Sequence, residues 1–478
     1  MSAPIVTPVE AEPGFGRALD LFQRTARHVP AYAEFLTEHG IDPSDVRTPE
    51  DFAAVPPTTK TDYLQRYPID RLLWHGDITG AGTWSCSSGS SGHPTYWPRD
   101  MVALDEGAEL YARILRHCFE SPRRSTLLVI GFAMGNWIGG TYTYAAALAL
   151  RRRELRVSVI APGIEPDTIL ENIERLGPHY EQVVLAGYPP FVKDVLDRAS
   201  ETVLRHDIRL LLAGEAITER WRDHMLDRIG KTDRPTEICL VYGTADAGIM
   251  GHETSTTIAV RRAARTNAAL GRELFGGDPI QPTFVEYDAG YRFTEVDPDG
   301  YFLFTSDSSI PLVRYRINDQ GRILSADALS EALRAHGCRL PVRPSTETCG
   351  YLALHRRTDI AAAFYGLQIY PENVRAALEH ADLADIVSGK FVLSVRSDEQ
   401  FTQTLALRVE LRTGVTPASD FRDRLRQRVI AALDRTNGEY RRLHQTLGVA
   451  AEPDITMHDF GSAGFGPGIK HQWTETRS

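Results

Sequence analysis

Between about residues 125 and 245 the chain alternates between two hydrophobic patterns. Nearly unbroken apolar runs at Leu127–Phe132, Val157–Ala161, Gln182–Ala186, Ile208–Ala213 and Ile238–Tyr242 predict strands of a parallel sheet covered on both faces. Helical periodicity in Pro166–Leu176, Pro190–Ala199 and Thr218–Ile229 predicts the crossovers between them. Upstream, apolar spacing at Ala18, Leu19, Phe22, Phe35 and Leu36 predicts helices, and Thr58-Thr59-Lys60-Thr61-Asp62 has the form of a capped helix start. That N-terminal layer shows no chemistry. Past a junction near 355–360 the pattern changes to helix Glu372–His380, strands Phe391–Val395 and Leu405–Leu411, and helix Ser419–Leu433. The expected fold is α/β, with a large layered N-terminal domain of mostly parallel sheets (residues 1–355) and a small α+β C-terminal domain (residues 356–478).

Thr126–Leu150 carries no charge and is long enough to span a bilayer. Its glycines and hydroxyl side chains, and its division into a strand at Leu127–Phe132 and a helix at Tyr142–Leu150, predict buried elements instead. A net charge of −10, from 53 basic and 63 acidic residues, argues against nucleic acid or an anionic membrane as the main partner. Five cysteines without CxxC spacing, and no signal pattern in Met1–Pro13, predict reduced thiols in a cytoplasmic protein. Only five of the 53 basic residues are lysines, so a lysine placed where chemistry needs one carries extra weight.

Ser87-Ser88-Gly89-Ser90-Ser91-Gly92-His93-Pro94-Thr95 combines glycines, which free the backbone to turn its N–H groups inward, with hydroxyl donors. That chemistry suits phosphate oxygens, although no Gly-Lys-Ser/Thr closes a P-loop, and a Gly/Ser linker has the same composition. Two predicted strands end in glycine and a carboxylate, at Ala213-Gly214-Glu215 and at Tyr242-Gly243-Thr244-Ala245-Asp246. Ligands gather at such strand ends in α/β sheets. Further on stand Arg314-Tyr315-Arg316 leading to Asp319, Arg357-Thr358-Asp359, Gly366-Leu367-Gln368-Ile369-Tyr370-Pro371, and a glycine-rich tail carrying Lys470.

In this order the motifs resemble the adenylate-forming superfamily, and within it the phenylacetate–CoA ligase branch, over about residues 80–470. The resemblance implies a two-step reaction: a carboxylate attacks the α-phosphate of ATP, and the acyl-adenylate then passes to coenzyme A. It implies that Ser87, Ser88, Gly89, Ser90, Ser91 and Gly92 hold the β- and γ-phosphates, and that Asp246 binds Mg²⁺. Gly214, Glu215, Tyr242, Gly243, Thr244, Asp319 and Arg357 would surround adenine and ribose, with Tyr242 stacked on the base. Lys470 would be the catalytic cation, Asp359 the hinge of a rotating small domain, and Lys390 a solvated bystander. Phe132, Trp137, Gly139, Gly140, Tyr188 and Ala213 would line the acyl pocket, whose aromatic walls suit a flat aryl or arylacetic acid.

Several positions depart from the family pattern. His93 stands for a lysine, Ala245 for a hydroxyl residue, Asp246 for a glutamate and Ile360 for a second acid, while an extra segment lies around Ser325–Cys349. These departures equally suit a ligase of secondary metabolism that passes the acyl group to an amine or a carrier-protein thiol. An inactive nucleotide-binding homologue is the reading from outside enzymology. The sequence is compatible with a homodimer.

Overall fold

The computed structural model describes residues 14–86, 95–276, 281–357, 362–378, 383, 386–462, 465 and 474–475. Among the described residues thirteen strands precede residue 358: β1 (Thr83–Cys86), β2 (Tyr96–Arg99), β3 (Thr126–Gly131), β4 (Val157–Ile160), β5 (Gln182–Gly187), β6 (Ile208–Ala213), β7 (Ile238–Thr244), β8 (Gly248–His252), β9 (Thr283–Asp288), β10 (Phe293–Val296), β11 (Tyr301–Ser306), β12 (Leu312–Leu324) and β13 (Cys349–Arg357). β1 and β2 pair as an antiparallel ribbon flanking the Ser/Gly stretch. The other eleven form one sheet in the order β10-β11-β12-β13-β9-β8-β7-β6-β5-β3-β4.

From β4 to β7 the neighbours are parallel. Every residue of β3 and β5 is buried, which is why these strands lack an alternating pattern. The crossover helices Pro166–Leu176, Pro189–Asp197 and Glu219–Arg228 fall where periodicity puts them. From β7 onward the pairings reverse to antiparallel, through β8, β9, β13, β12 and β11 to β10.

The charge-free stretch is β3 followed by a helix, Ile138–Leu150, that begins four residues earlier than its periodicity suggests. Gly140 makes that start possible, because a Cβ there would overlap the Ala133 carbonyl and the Met134 sulfur. Among the described residues no helix is long and apolar enough to cross a membrane.

The N-terminal helices Phe15–His28 and Pro30–Glu38 cover the antiparallel half of the sheet. Phe22, Tyr32, Phe35, Phe52 and Tyr63 there share an apolar cluster with Tyr287, Phe293, Phe304 and Tyr315. The expected helix start at Thr58–Asp62 is a reciprocal capping box (the Asp62 carboxylate accepts from Thr59 N at 2.8 Å) on a single five-residue π-helical turn, Lys60–Leu64. The extra segment after residue 325 contains a helix, Ala326–Ala335, whose Leu329 and Leu333 pack with Phe284 and Tyr351.

A separate C-terminal unit holds β14 (Ala362–Phe364), β15 (Leu367–Ile369), β16 (Val387–Ser397), β17 (Gln403–Leu411), β18 (Asp454–His458) and β19 (Thr474–Glu475). β14 and β15 form a hairpin, and the rest a sheet in the order β18-β17-β16-β19. Helices Pro371–Leu378, Phe421–Thr436 and Gly438–Leu447 complete it.

Candidate active site

The carboxyl ends of the parallel strands and the point where β7 meets antiparallel β8 open onto one cavity of about 480 Å³. Phe132, Tyr188, Ala213, Gly214, Gly243, Thr244 and Asp246 all line it, and the helix Ile138–Leu150 contributes Gly139. Eight expected site residues from five separate stretches therefore meet in one place. Tyr188 fits there because its neighbours lack side chains. Gly214 (φ +94°) and Gly366 (φ +78°) lie against its ring, and a Cβ on Gly214 would come within 2.8 Å of it. The Tyr188 and Phe132 rings meet edge to face at 5.0 Å between centroids.

Other expected residues occupy different surroundings. Gly140 serves the helix–loop contact described above. Trp137 is the N-cap of the helix Ile138–Leu150, and its ring lies against Gly438 of the C-terminal unit. The Tyr242 ring is buried in the second apolar cluster, and its hydroxyl donates to the Asp319 carboxylate at 2.5 Å. Asp319 itself is 0% exposed. Neither side chain lines the cavity, although the neighbouring Val241 and Gly243 do. Asp319 and Arg357 are backbone partners across β12 and β13. The inserted helix is thus a side excursion that leaves these two positions opposite each other.

The Glu215 carboxylate, expected beside adenine, is turned toward the C-terminal unit, where it accepts from Gly366 N at 2.6 Å and Gln403 Nε2 at 2.7 Å. Lys390, expected in solvent, is half-buried and donates to the Phe465 carbonyl at 3.3 Å. Ser87, Ser88, Gly89, Ser90, Ser91, Gly92, Asp359 and Lys470 lie outside the described residues. The strand residue before the Ser/Gly stretch, Cys86, lines the cavity and is the register partner of Tyr96.

Sequence reasoning missed part of the wall. Thr59, Lys60 and Thr61 line the cavity, so the N-terminal layer brings it a cation. The backbone explains how: Arg316 N donates to Thr58 O at 2.8 Å, and the Thr58 hydroxyl donates to Val313 O at 3.1 Å, which fastens the turn to β12. Tyr111 and Thr143 also line the cavity, their hydroxyls 2.5 Å apart. Tyr142 completes this side, with its hydroxyl wedged against Gly107 and Gly248.

The Arg99 guanidinium lies 5.1 Å from the centre of the Tyr142 ring, a cation–π contact. Arg99 donates to Ser85 Oγ at 2.8 Å and to the Ala245 carbonyl at 2.6 Å, holding the turn that carries Asp246. Burial brings its pKa down to about 10. Nothing in the sequence separates this arginine from the many others. Among the described residues no group of three or more His, Cys, Asp or Glu side chains could hold a metal ion.

No family model matches the chain. It is similar to the phenylacetate–coenzyme A ligase of Escherichia coli (strain K12), 24% identical over 304 residues that cover 63% of this chain and 64% of that protein. The phenylacetate–coenzyme A ligase of Thermus thermophilus is 25% identical over 356 residues, covering 73% of this chain and 71% of that protein. The chain thus spans 64% of the first of these relatives. A solved structure of 2-hydroxyisobutyryl-CoA ligase, in complex with 2-HIB-AMP and CoA, has a TM-score of 0.63 and 17% identity, covering 99% of this chain and 92% of that one. Fold and relatives together place the chain in the adenylate-forming superfamily. Its curated relatives in that superfamily are phenylacetate–coenzyme A ligases.

Proposed function

We propose that this chain activates a carboxylic acid, most simply an aromatic one, as its acyl-adenylate and transfers the acyl group to coenzyme A. The observation that carries the reading is the meeting of an aromatic pocket (Phe132, Tyr188, Tyr111) with the Thr244–Asp246 strand end in one cavity. The acid's ring would lie against the Phe132–Tyr188 pair, beside Gly139 and Ala213, and its carboxylate would point toward β7. One carboxylate oxygen attacks the α-phosphorus, the bond to the bridging oxygen breaks, and pyrophosphate leaves. In the second step a thiolate attacks the acyl carbon and AMP departs.

Phosphoryl transfer needs positioning and charge neutralisation more than covalent help. The cavity's described wall supplies two cations, Lys60 on a capped turn and Arg316 at the other end of the same contact with β12. Ser87–Gly92 would hold the leaving phosphates, and Lys470 would bridge carboxylate and α-phosphate. A charge pair ~4 Å apart at an effective dielectric of ~20 is worth about 4 kcal/mol. Asp246 is a hard oxygen donor facing the cavity and fits Mg²⁺, which takes one or two protein carboxylates and fills its shell with phosphate and water. Such an ion would neutralise triphosphate charge, while Arg99 keeps the Asp246 turn in place. Asp319 and Arg357 would meet the ribose once the Tyr242 hydroxyl yields its partner.

The test is ATP–pyrophosphate exchange over a panel of acids containing phenylacetate, benzoate and 2-hydroxyisobutyrate, followed by AMP release with and without CoA. At least one aromatic acid should support exchange, CoA should accelerate AMP release, and Lys470→Ala should lower exchange by about 100-fold or more. Exchange with no acid, or unchanged in Lys470→Ala, contradicts the proposal.

A further inference from the structure

Phe132, Ile138, Ala213, Val241 and Ile249 give the cavity apolar walls, and Tyr111 and Thr143 set hydroxyls among them. Both residues are buried, Tyr111 on the helix Met101–His117 and Thr143 on the helix Ile138–Leu150. The direction of their protons follows from counting donors. Thr143 Oγ1 lies 2.6 Å from the Gly139 carbonyl, which can only accept, so the threonine proton is committed there. Tyr111 must then donate to Thr143 Oγ1 at 2.5 Å. A hydroxyl has a single proton, so this chain uses both and leaves lone pairs on the two oxygens. The pair can accept a hydrogen bond from a ligand and has no proton to give one. Donating along the chain also makes each oxygen a better acceptor.

The same pair stands beside the place proposed for the acid's ring. Gly139, whose carbonyl ends the chain, lies one turn before Thr143 on the same helix face. A Cβ on Gly139 would sit 3.3 Å from the Tyr188 hydroxyl and 3.4 Å from Phe132 Cβ. A ring against Phe132 and Tyr188 therefore has the accepting oxygens about one helical turn away, ~5.4 Å along the axis. A bare ring leaves their lone pairs facing carbon, whereas a hydroxyl or amino group on it supplies the missing proton. Pockets of this kind fix orientation and specificity through a few such polar groups.

We infer that the acid is one whose aromatic ring carries a hydrogen-bond donor, a hydroxyl or an amino group, and that Tyr111 and Thr143 select it. The inference rests on the function proposed above and names the class of acid within it. A methoxy group in the same place brings an oxygen without a proton against two accepting oxygens, so it is rejected. Tyr111 and Thr143 act on which acid is held, and their effect belongs to KM.

The test compares ATP–pyrophosphate exchange with phenylacetate and benzoate against the ring-hydroxylated, amino and methoxy derivatives of each. At least one hydroxyl or amino acid derivative should exceed its plain acid by about tenfold in kcat/KM, mainly through KM, and its methoxy counterpart should fall below the plain acid. Tyr111→Phe removes one accepting oxygen and keeps the ring, so the ratio of kcat/KM between the favoured acid and the plain acid should shrink towards one. Thr143→Ser keeps the hydroxyl and should keep that ratio. Thr143→Val breaks the chain and frees the Tyr111 proton, which should narrow the gap between the hydroxyl and methoxy acids. Equal kcat/KM for donor-bearing and plain acids, a preference for methoxy acids, or an unchanged ratio in Tyr111→Phe overturns the inference and leaves the pair as packing between two helices. Exchange with no acid sinks the functional reading instead. Calorimetric titration of the same acids into the wild-type chain and Tyr111→Phe then decides the inference: tighter binding of a donor-bearing acid that Tyr111→Phe abolishes upholds it, and equal or absent binding overturns it.

Discussion

The Tyr242–Asp319 hydrogen bond satisfies a buried carboxylate that the proposed function would bring to a ribose. A carboxylate with no exposure needs donors, and the tyrosine hydroxyl at 2.5 Å supplies one. Tyr242→Phe removes that donor and leaves the ring's packing in place. Stability should fall by about 2 kcal/mol, read by denaturant unfolding, and the KM for ATP should drop, because Asp319 no longer has to be released for a ribose. A rise in KM would mean that Tyr242 contacts the nucleotide directly. The two residues were each legible as candidates from strand-end motifs, but their mutual bond was not, since it joins positions 77 apart in sequence. Lys60 was hidden for the same reason. Its turn has an ordinary capping signature, and only the bridge from Thr58 to Tyr315 brings it to the cavity.

At the scale of elements, the parallel strands were readable because both of their faces are covered, so apolar character alone marks them. The antiparallel half was largely unreadable because it buries charges. Glu295 pairs with Arg314 at 3.1 Å and Asp288 with Arg113, which breaks the apolar runs that identify strands. A larger network lies behind β7. Glu219, Arg222, Glu253 and Arg261 are all buried, with Arg222 reaching Glu253 at 2.6 Å and Glu219 at 3.1 Å. Arg222 also donates to Ile238 O at 2.5 Å, and Glu253 accepts from Leu240 N at 2.9 Å, so the network anchors the strand that carries the Thr244–Asp246 turn. Buried ion pairs contribute little net stability while intact, yet removing one partner strands the other charges. Arg222→Ala should therefore cost about 3–5 kcal/mol, seen as a lower thermal midpoint, whereas Arg262→Ala at the network's more exposed edge should cost under about 1 kcal/mol.

At the scale of the whole molecule, what matters is how firmly the C-terminal unit is held. Its existence was legible in the change of pattern after residue 360, but its seating was not, because that depends on contacts such as Tyr365 with Asp194. The Tyr365 hydroxyl donates to Asp194 at 2.5 Å, and Lys193, Asp197 and Arg198 surround the pair. Burial raises the Asp194 pKa above its ordinary 3.8, although the Tyr365 hydrogen bond pulls the other way. If the unit swings away, Asp194 regains water and its ordinary value. A group whose pKa is raised by docking favours the docked form below its ordinary pKa and loses that contribution as pH rises through the raised value. Above that raised value the ionised Asp194 works against docking, opposing the Glu215 hydrogen bonds to Gly366 and Gln403. Lowering the pH from about 7 to about 4 should compact the chain in small-angle X-ray scattering. Asp194→Asn keeps an acceptor for Tyr365 without the charge, so it should be compact at neutral pH and show a flatter pH profile. An Asp194→Asn chain whose scattering follows the parent's at every pH would show that this carboxylate has no part in setting the balance between the two arrangements.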